Sequence, residues 1–100
     1  MRDVAVLGVG LHPWGKFADR SVTELCRHAA TAALADAGVA WREIGAVAAA
    51  SSRFSGGKGW GLNGNDVVDD LGQTGVAVYN LSACCAAGAT ALNVGWTLVA

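Results

Sequence analysis

The sequence predicts an α/β fold built on a parallel sheet. Short apolar runs recur at residues 3–9, 44–50 and 76–80. Segments of helical period lie between and after them. Their order is strand, helix, strand, loop with short helix, strand, helix. That alternation implies parallel strands joined by right-handed crossovers.

Each element has its own warrant. Residues 3–9 hold Val4, Ala5, Val6, Leu7 and Val9, a nearly continuous apolar run that suits a strand buried on both faces. Gly8 and Gly10 then bring a glycine-rich turn with His12, Pro13, Trp14 and Gly15. Ser21, Val22, Thr23 and Glu24 make a capping box. Val22, Leu25, Cys26, Ala29, Ala33, Leu34 and Ala37 follow at helical spacing, and Gly38 supplies a left-handed C-terminal residue. Residues 44–50 read as a second buried strand, weakened by alanine. Residues 51–64 hold five glycines and one tryptophan and read as a long loop, which in a compact domain is more often functional than structural. Residues 65–71 form a short helix ended by Gly72. Residues 76–80 are the third strand. Residues 85–100 are apolar nearly all round, which predicts a buried helix.

Composition narrows the function classes. The chain is 53% hydrophobic and 15% charged, too apolar for disorder and above the balance of a freestanding small domain. Much of its surface is therefore expected to be covered by more chain or by a partner. The net charge of -1, with no basic run, argues against nucleic acid. Three cysteines, two of them adjacent, do not form a disulfide framework and favour a reducing, cytoplasmic setting. No apolar run outside the C-terminal helix approaches a membrane span. That helix carries Asn93, Gly95 and Thr97, so it reads as core. A dinucleotide fingerprint after the first strand fails, because Pro13 stands where its third glycine belongs. A metal would need His12, His28, Cys26, Cys84 and Cys85 to converge, and none of their spacings is of metal type. His28 reads as a solvated helix histidine and Cys26 as core. Asp66, Asp69 and Asp70 read as a solvated helix face.

The chemistry concentrates at Cys84 and Cys85. A β-branched strand feeds two cysteines, and small residues then open a helix. A thiol at a helix N-terminus meets unpaired amides and the positive end of the macrodipole, which favours thiolate. Ala86, Ala87 and Gly88 would let a substrate approach the backbone. The plainer reading makes both cysteines small hydrophobes at a buried helix start.

These residues resemble the thiolase superfamily, in particular its sterol-carrier-protein-X or lipid-transfer type. Residues 1–10 look like that group's first strand and turn. Residues 13–17 (Pro-Trp-Gly-Lys-Phe) resemble the loop that follows, and residues 33–39 the end of the first helix. Residues 75–80 and 85–92 resemble the strand and nucleophile helix. The resemblance implies the N-terminal part of a five-layered αβαβα fold, with a parallel-rich mixed sheet and a buried nucleophile helix. It implies an acyltransferase that cleaves or condenses acyl-CoA thioesters through an acylated cysteine, with coenzyme A thioester as substrate and no bound cofactor or metal. A homodimer is implied too. Anchored on Gly88, the family pattern of Cys, small residue, Ser/Thr/Ala and Gly makes Cys85 the nucleophile; Cys84 is the alternative register. Two positions depart from the family: His12 replaces a common threonine, and Ala87 a common hydroxyl residue. Arg53, Lys58 and Trp60 would line a CoA or partner surface, or form an exposed loop.

The family's base histidines and second cysteine lie in later motifs, so residues 1–100 are expected to be the N-terminal part of a longer enzyme. Two other readings stay open. Some lipid-transfer members look like retro-aldolases that cleave steroid side-chain β-hydroxyacyl-CoA esters with an OB-fold, zinc-ribbon partner. A non-catalytic acyl- or lipid-binding protein on the same scaffold is the other.

Overall fold

Ser21 starts the first helix. Its Oγ accepts from the Glu24 amide at 3.1 Å, and its own amide donates to Glu24 Oε2 at 2.7 Å. The computed structural model describes residues 1–51 and 63–100. In that range helix α1 runs Val22–Ala37 and ends at Gly38, whose φ of 67° is left-handed. Cap and stop both fall where the capping box and the glycine predict them.

A 3-10 turn at Trp41–Glu43 leads into strand β1, Ala46–Ala50. Helix α2 spans Gly64–Leu71 and strand β2 spans Ala77–Leu81. A second 3-10 turn, Cys84–Ala86, precedes helix α3, Ala87–Val99. β1 and β2 pair in parallel, from Ala46 opposite Ala77 to Ala50 opposite Leu81. The molecule is thus an α/β domain with a two-stranded parallel sheet among its described residues.

Alanine has little intrinsic strand preference. Ala46, Ala48, Ala49 and Ala50 are strand here because they pair with β2. Their small side chains also admit helices close to both faces. Strand alternation puts Val47, Ala49, Val78 and Asn80 on one face. That face lies under α2, where a Cβ on Gly64 would sit 2.8 Å from Ala49 Cβ and 2.9 Å from Val78 Cγ1. The opposite face presents Ala46, Ala48, Ala77 and Tyr79 to a groove shared with Gly95, Leu98 and Val99 of α3. α1 packs against α2, and Arg27 Nε meets Asp70 Oδ2 at 3.0 Å. Trp41 ties down the far end of α2 by donating from Nε1 to the Gly72 carbonyl at 2.7 Å.

Residues 3–9 differ from expectation: they form no strand. One amide of the segment and that of the preceding Arg2 bond elsewhere. The Val9 amide donates to Asp36 Oδ2 at 2.9 Å, and the Arg2 amide to the Ala100 carbonyl at 3.1 Å. Gly8 and Gly10 lay the segment directly on α1. A Cβ at Gly8 would lie 2.5 Å from the Ala37 amide nitrogen, and one at Gly10 would run into the Ala29 carbonyl. Val6, Leu7, Val9 and Leu11 are exposed, Val6 at 73%, so the doubly buried strand is not what forms.

The C-terminal helix is the second correction. It is not buried. Leu92 is 69% exposed, and Trp96, Leu98 and Val99 are exposed as well. Only Ala87 of α3 is buried. An all-round apolar helix needs cover on every side. Here the sheet covers one side, and the segment around Val4 and Val6 only borders a groove along it. Among the described residues the buried hydrophobic side chains are Ala49, Val67, Val68 and Ala87. The core is thin and made of small residues.

Candidate functional site

The parallel sheet aims its chain at the cysteine pair. β2 ends at Leu81, and Cys84 and Cys85 open the 3-10 turn before α3. Ligands of open α/β sheets bind beyond the carboxyl ends of the strands, and the pair occupies that position for β2. The α-helix begins at Ala87, two residues later than residue-type patterning predicts. Cys85 therefore lies in the lead-in turn. The turn closes with the Ala86 amide donating to the Ala83 carbonyl at 2.9 Å. Thr90 Oγ1 donates back to the Ala86 carbonyl at 3.0 Å, which fastens the turn to the first coil of α3.

Both thiols are free and exposed. Cys84 has a φ of 48°, the one positive φ at a non-glycine position among the described residues. L-residues adopt that region at a cost, and such outliers gather at functional sites. The positive end of the α3 macrodipole faces the turn.

Asn80, four residues before Cys84, fixes the neighbouring helix start. Its Oδ1 accepts from the Gly64 amide at 2.8 Å, and its Nδ2 donates to Asn65 Oδ1 at 2.8 Å. Asn63 Oδ1 accepts from the Asn65 amide at 2.9 Å. Strand β2 and the N-terminus of α2 are thereby joined by side chains, just ahead of the cysteine turn. Patterning marked residues 65–71 as helical but not this asparagine bridge. The bridge joins residues 15 and 16 apart in sequence, which no local pattern pairs.

The remaining candidates fall elsewhere. Cys26 is half-buried beside an apolar gap of about 340 Å3, shared with Trp41, Val67, Leu71 and Gly88. Burial pushes its thiol up from the ordinary 9.0. His12 and His28 meet edge to face at 4.8 Å. Arg20 Nη1 donates to His12 Nε2 at 2.6 Å, and His12 Nδ1 donates to the Pro13 carbonyl at 2.9 Å. An imidazole that accepts at Nε2 and donates at Nδ1 is the Nδ1–H tautomer. Arg20 also lies 5.4 Å over the Phe17 ring. No residue-type pattern marks this cluster, because it forms only when the segment before α1 folds back onto His28 of that helix. Among the described residues no group of three or more His, Cys, Asp or Glu side chains could hold a metal ion. Asp70 pairs with Arg27, and Asp69 Oδ1 accepts from Gln73 Nε2 at 2.6 Å. Arg53, Lys58 and Trp60 lie outside the described residues.

No described helix is long and apolar enough to cross a membrane. No protein-family model matches the chain, and no curated protein matches it.

Proposed function

We propose that this chain carries the nucleophile of a thiolase-like enzyme acting on acyl-CoA thioesters, with Cys85 as the acylated residue. The observation that carries the reading is the position of an exposed cysteine pair between a parallel strand end and a helix start. In condensation, Cys85 thiolate attacks the thioester carbonyl and coenzyme A leaves as its thiolate. In cleavage it attacks the 3-keto carbon of a 3-ketoacyl-CoA, the C2–C3 bond breaks, and the two-carbon CoA ester leaves as its enolate and is protonated. A new thioester then links the acyl group to Cys85 Sγ. The acyl group passes on to coenzyme A in cleavage or to a carbanion in condensation. The resemblance puts base histidines and a second cysteine in later motifs, so the cycle belongs to the protein that carries them.

Two variants test the register. Cys85→Ser should abolish the acyl-cysteine adduct formed from an acyl-CoA, read by peptide mass, while Cys84→Ala leaves it largely intact. The reverse pattern would move the nucleophile to Cys84. A groove of about 800 Å3 lined by Val4, Val6, Leu92, Trp96 and Val99 favours a second reading, a non-catalytic acyl- or lipid-binding protein. In that case fatty-acyl binding survives Cys85→Ser unchanged and no adduct appears in the wild type.

A further inference from the structure

Cys84 and Cys85 are adjacent, exposed and free. The turn that holds them lies outside the α-helix, which begins at Ala87. Cys84 is already left-handed at φ 48°, so a change of backbone there takes no residue out of α3. We propose that the pair is an oxidative modification site, closing to a reversible vicinal disulfide. The site needs only the two free thiols and does not rest on Cys85 being the acyl-transfer nucleophile.

With hydrogen peroxide as oxidant the steps balance. Cys85 thiolate attacks one peroxide oxygen, the O–O bond breaks and hydroxide leaves, giving a sulfenic acid. Cys84 sulfur then attacks the sulfenic sulfur. The S–O bond breaks, the S–S bond forms, and the oxygen departs as water with the Cys84 proton. Two thiols lose two electrons in total, and one peroxide becomes two waters. The neighbouring thiol thus intercepts the sulfenic acid before a second peroxide carries it to irreversible sulfinic acid.

The ring this makes is strained. Neighbouring Cα atoms across a trans peptide are about 3.8 Å apart, below the ~4.4–6.8 Å of ordinary disulfides. Strained, exposed disulfides are the easily reduced ones. A dithiol reductant reopens the ring by two exchange steps and leaves as its own disulfide. Cys26 does not compete as the resolving thiol. It sits on α1, half-buried, with burial holding its proton.

The test treats the reduced full chain with hydrogen peroxide and reads the peptide that contains both residues. It should lose the mass of two hydrogens, lose both alkylatable thiols, and regain them with dithiothreitol. Cys26→Ala should behave like wild type. Under the same peroxide, Cys84→Ala and Cys84→Ser should both gain the mass of two oxygens on Cys85, while wild type resists. A covalent dimer, a bridge to Cys26, or sulfinic acid forming as fast in wild type as in the Cys84 variants would overturn the proposal. Because the wild-type mass is decisive alone, a misfolded variant does not obscure the result.

Discussion

Ser21 completes its capping box within three residues of itself, and so its role is legible from four letters of sequence. Ser21→Ala should cost about 1 kcal/mol, seen as a lowered denaturant midpoint with unchanged slope. Cys26 differs, because its environment is assembled by α1, α2 and β1 together. Its folded-state value is raised by burial above the ordinary 9.0, so the native state holds that proton more tightly than the unfolded chain. The resulting stability is complete below the unfolded value and fades as pH rises through the folded one. Unfolding free energy should therefore fall more steeply above about pH 9 in wild type than in Cys26→Ala. Equal alkaline slopes would contradict the burial. Cys84 and Cys85 stood out as a pair by residue type. The left-handed φ at Cys84 did not, since residue type alone marks glycine and asparagine for that region and the conformation here comes from joining β2 to α3.

α1 and residues 3–9 separate what local pattern can and cannot decide. A helix closes its own hydrogen bonds, so capping box and glycine stop suffice to bound it. A strand needs a partner, and here the Val9 amide bonds to Asp36 instead, while Arg2, just before the run, bonds to Ala100. β1 and β2 were legible as apolar runs, and their parallel pairing followed from the helix between them. Glycines at the elements respond oppositely to the same substitution. Gly64 is buried at the start of α2, with Ala49 Cβ, Val78 Cγ1 and Asn80 Oδ1 within 3.0 Å of a new Cβ. Gly64→Ala should destabilise by about 1–3 kcal/mol and loosen the asparagine bridge. Gly95 lies mid-helix in α3 with nothing within 4 Å of a new Cβ. Gly95→Ala should stabilise by roughly 0.5–1 kcal/mol. Thermal unfolding of both variants beside wild type reads the two signs directly, and a matching sign would show that one of these environments is wrong.

At the scale of the molecule, compactness and burial part ways. The radius of gyration is 13.4 Å, close to the ~13 Å of a folded chain this long. The accessible surface is 7027 Å2, roughly a third more than a monomer of this mass should expose. Exposed apolar side chains are part of that surface: Val6, Leu7, Val9 and Leu11 on one segment, and Leu92, Trp96, Leu98 and Val99 on α3. Contiguous apolar surface of this kind drives association, and the sheet edges left unpaired among the described residues add a template for strand addition. The 100-residue chain should therefore bind a hydrophobic dye strongly, give poorly dispersed amide signals, and sediment as concentration-dependent assemblies. Leu92→Lys, at an exposed position, should reduce dye binding and assembly without lowering the unfolding midpoint. A protein that stays monomeric at high concentration and leaves the dye dark would show that the apolar face is covered within the chain itself. It would also favour a small binding module over one part of an acyl-transfer enzyme.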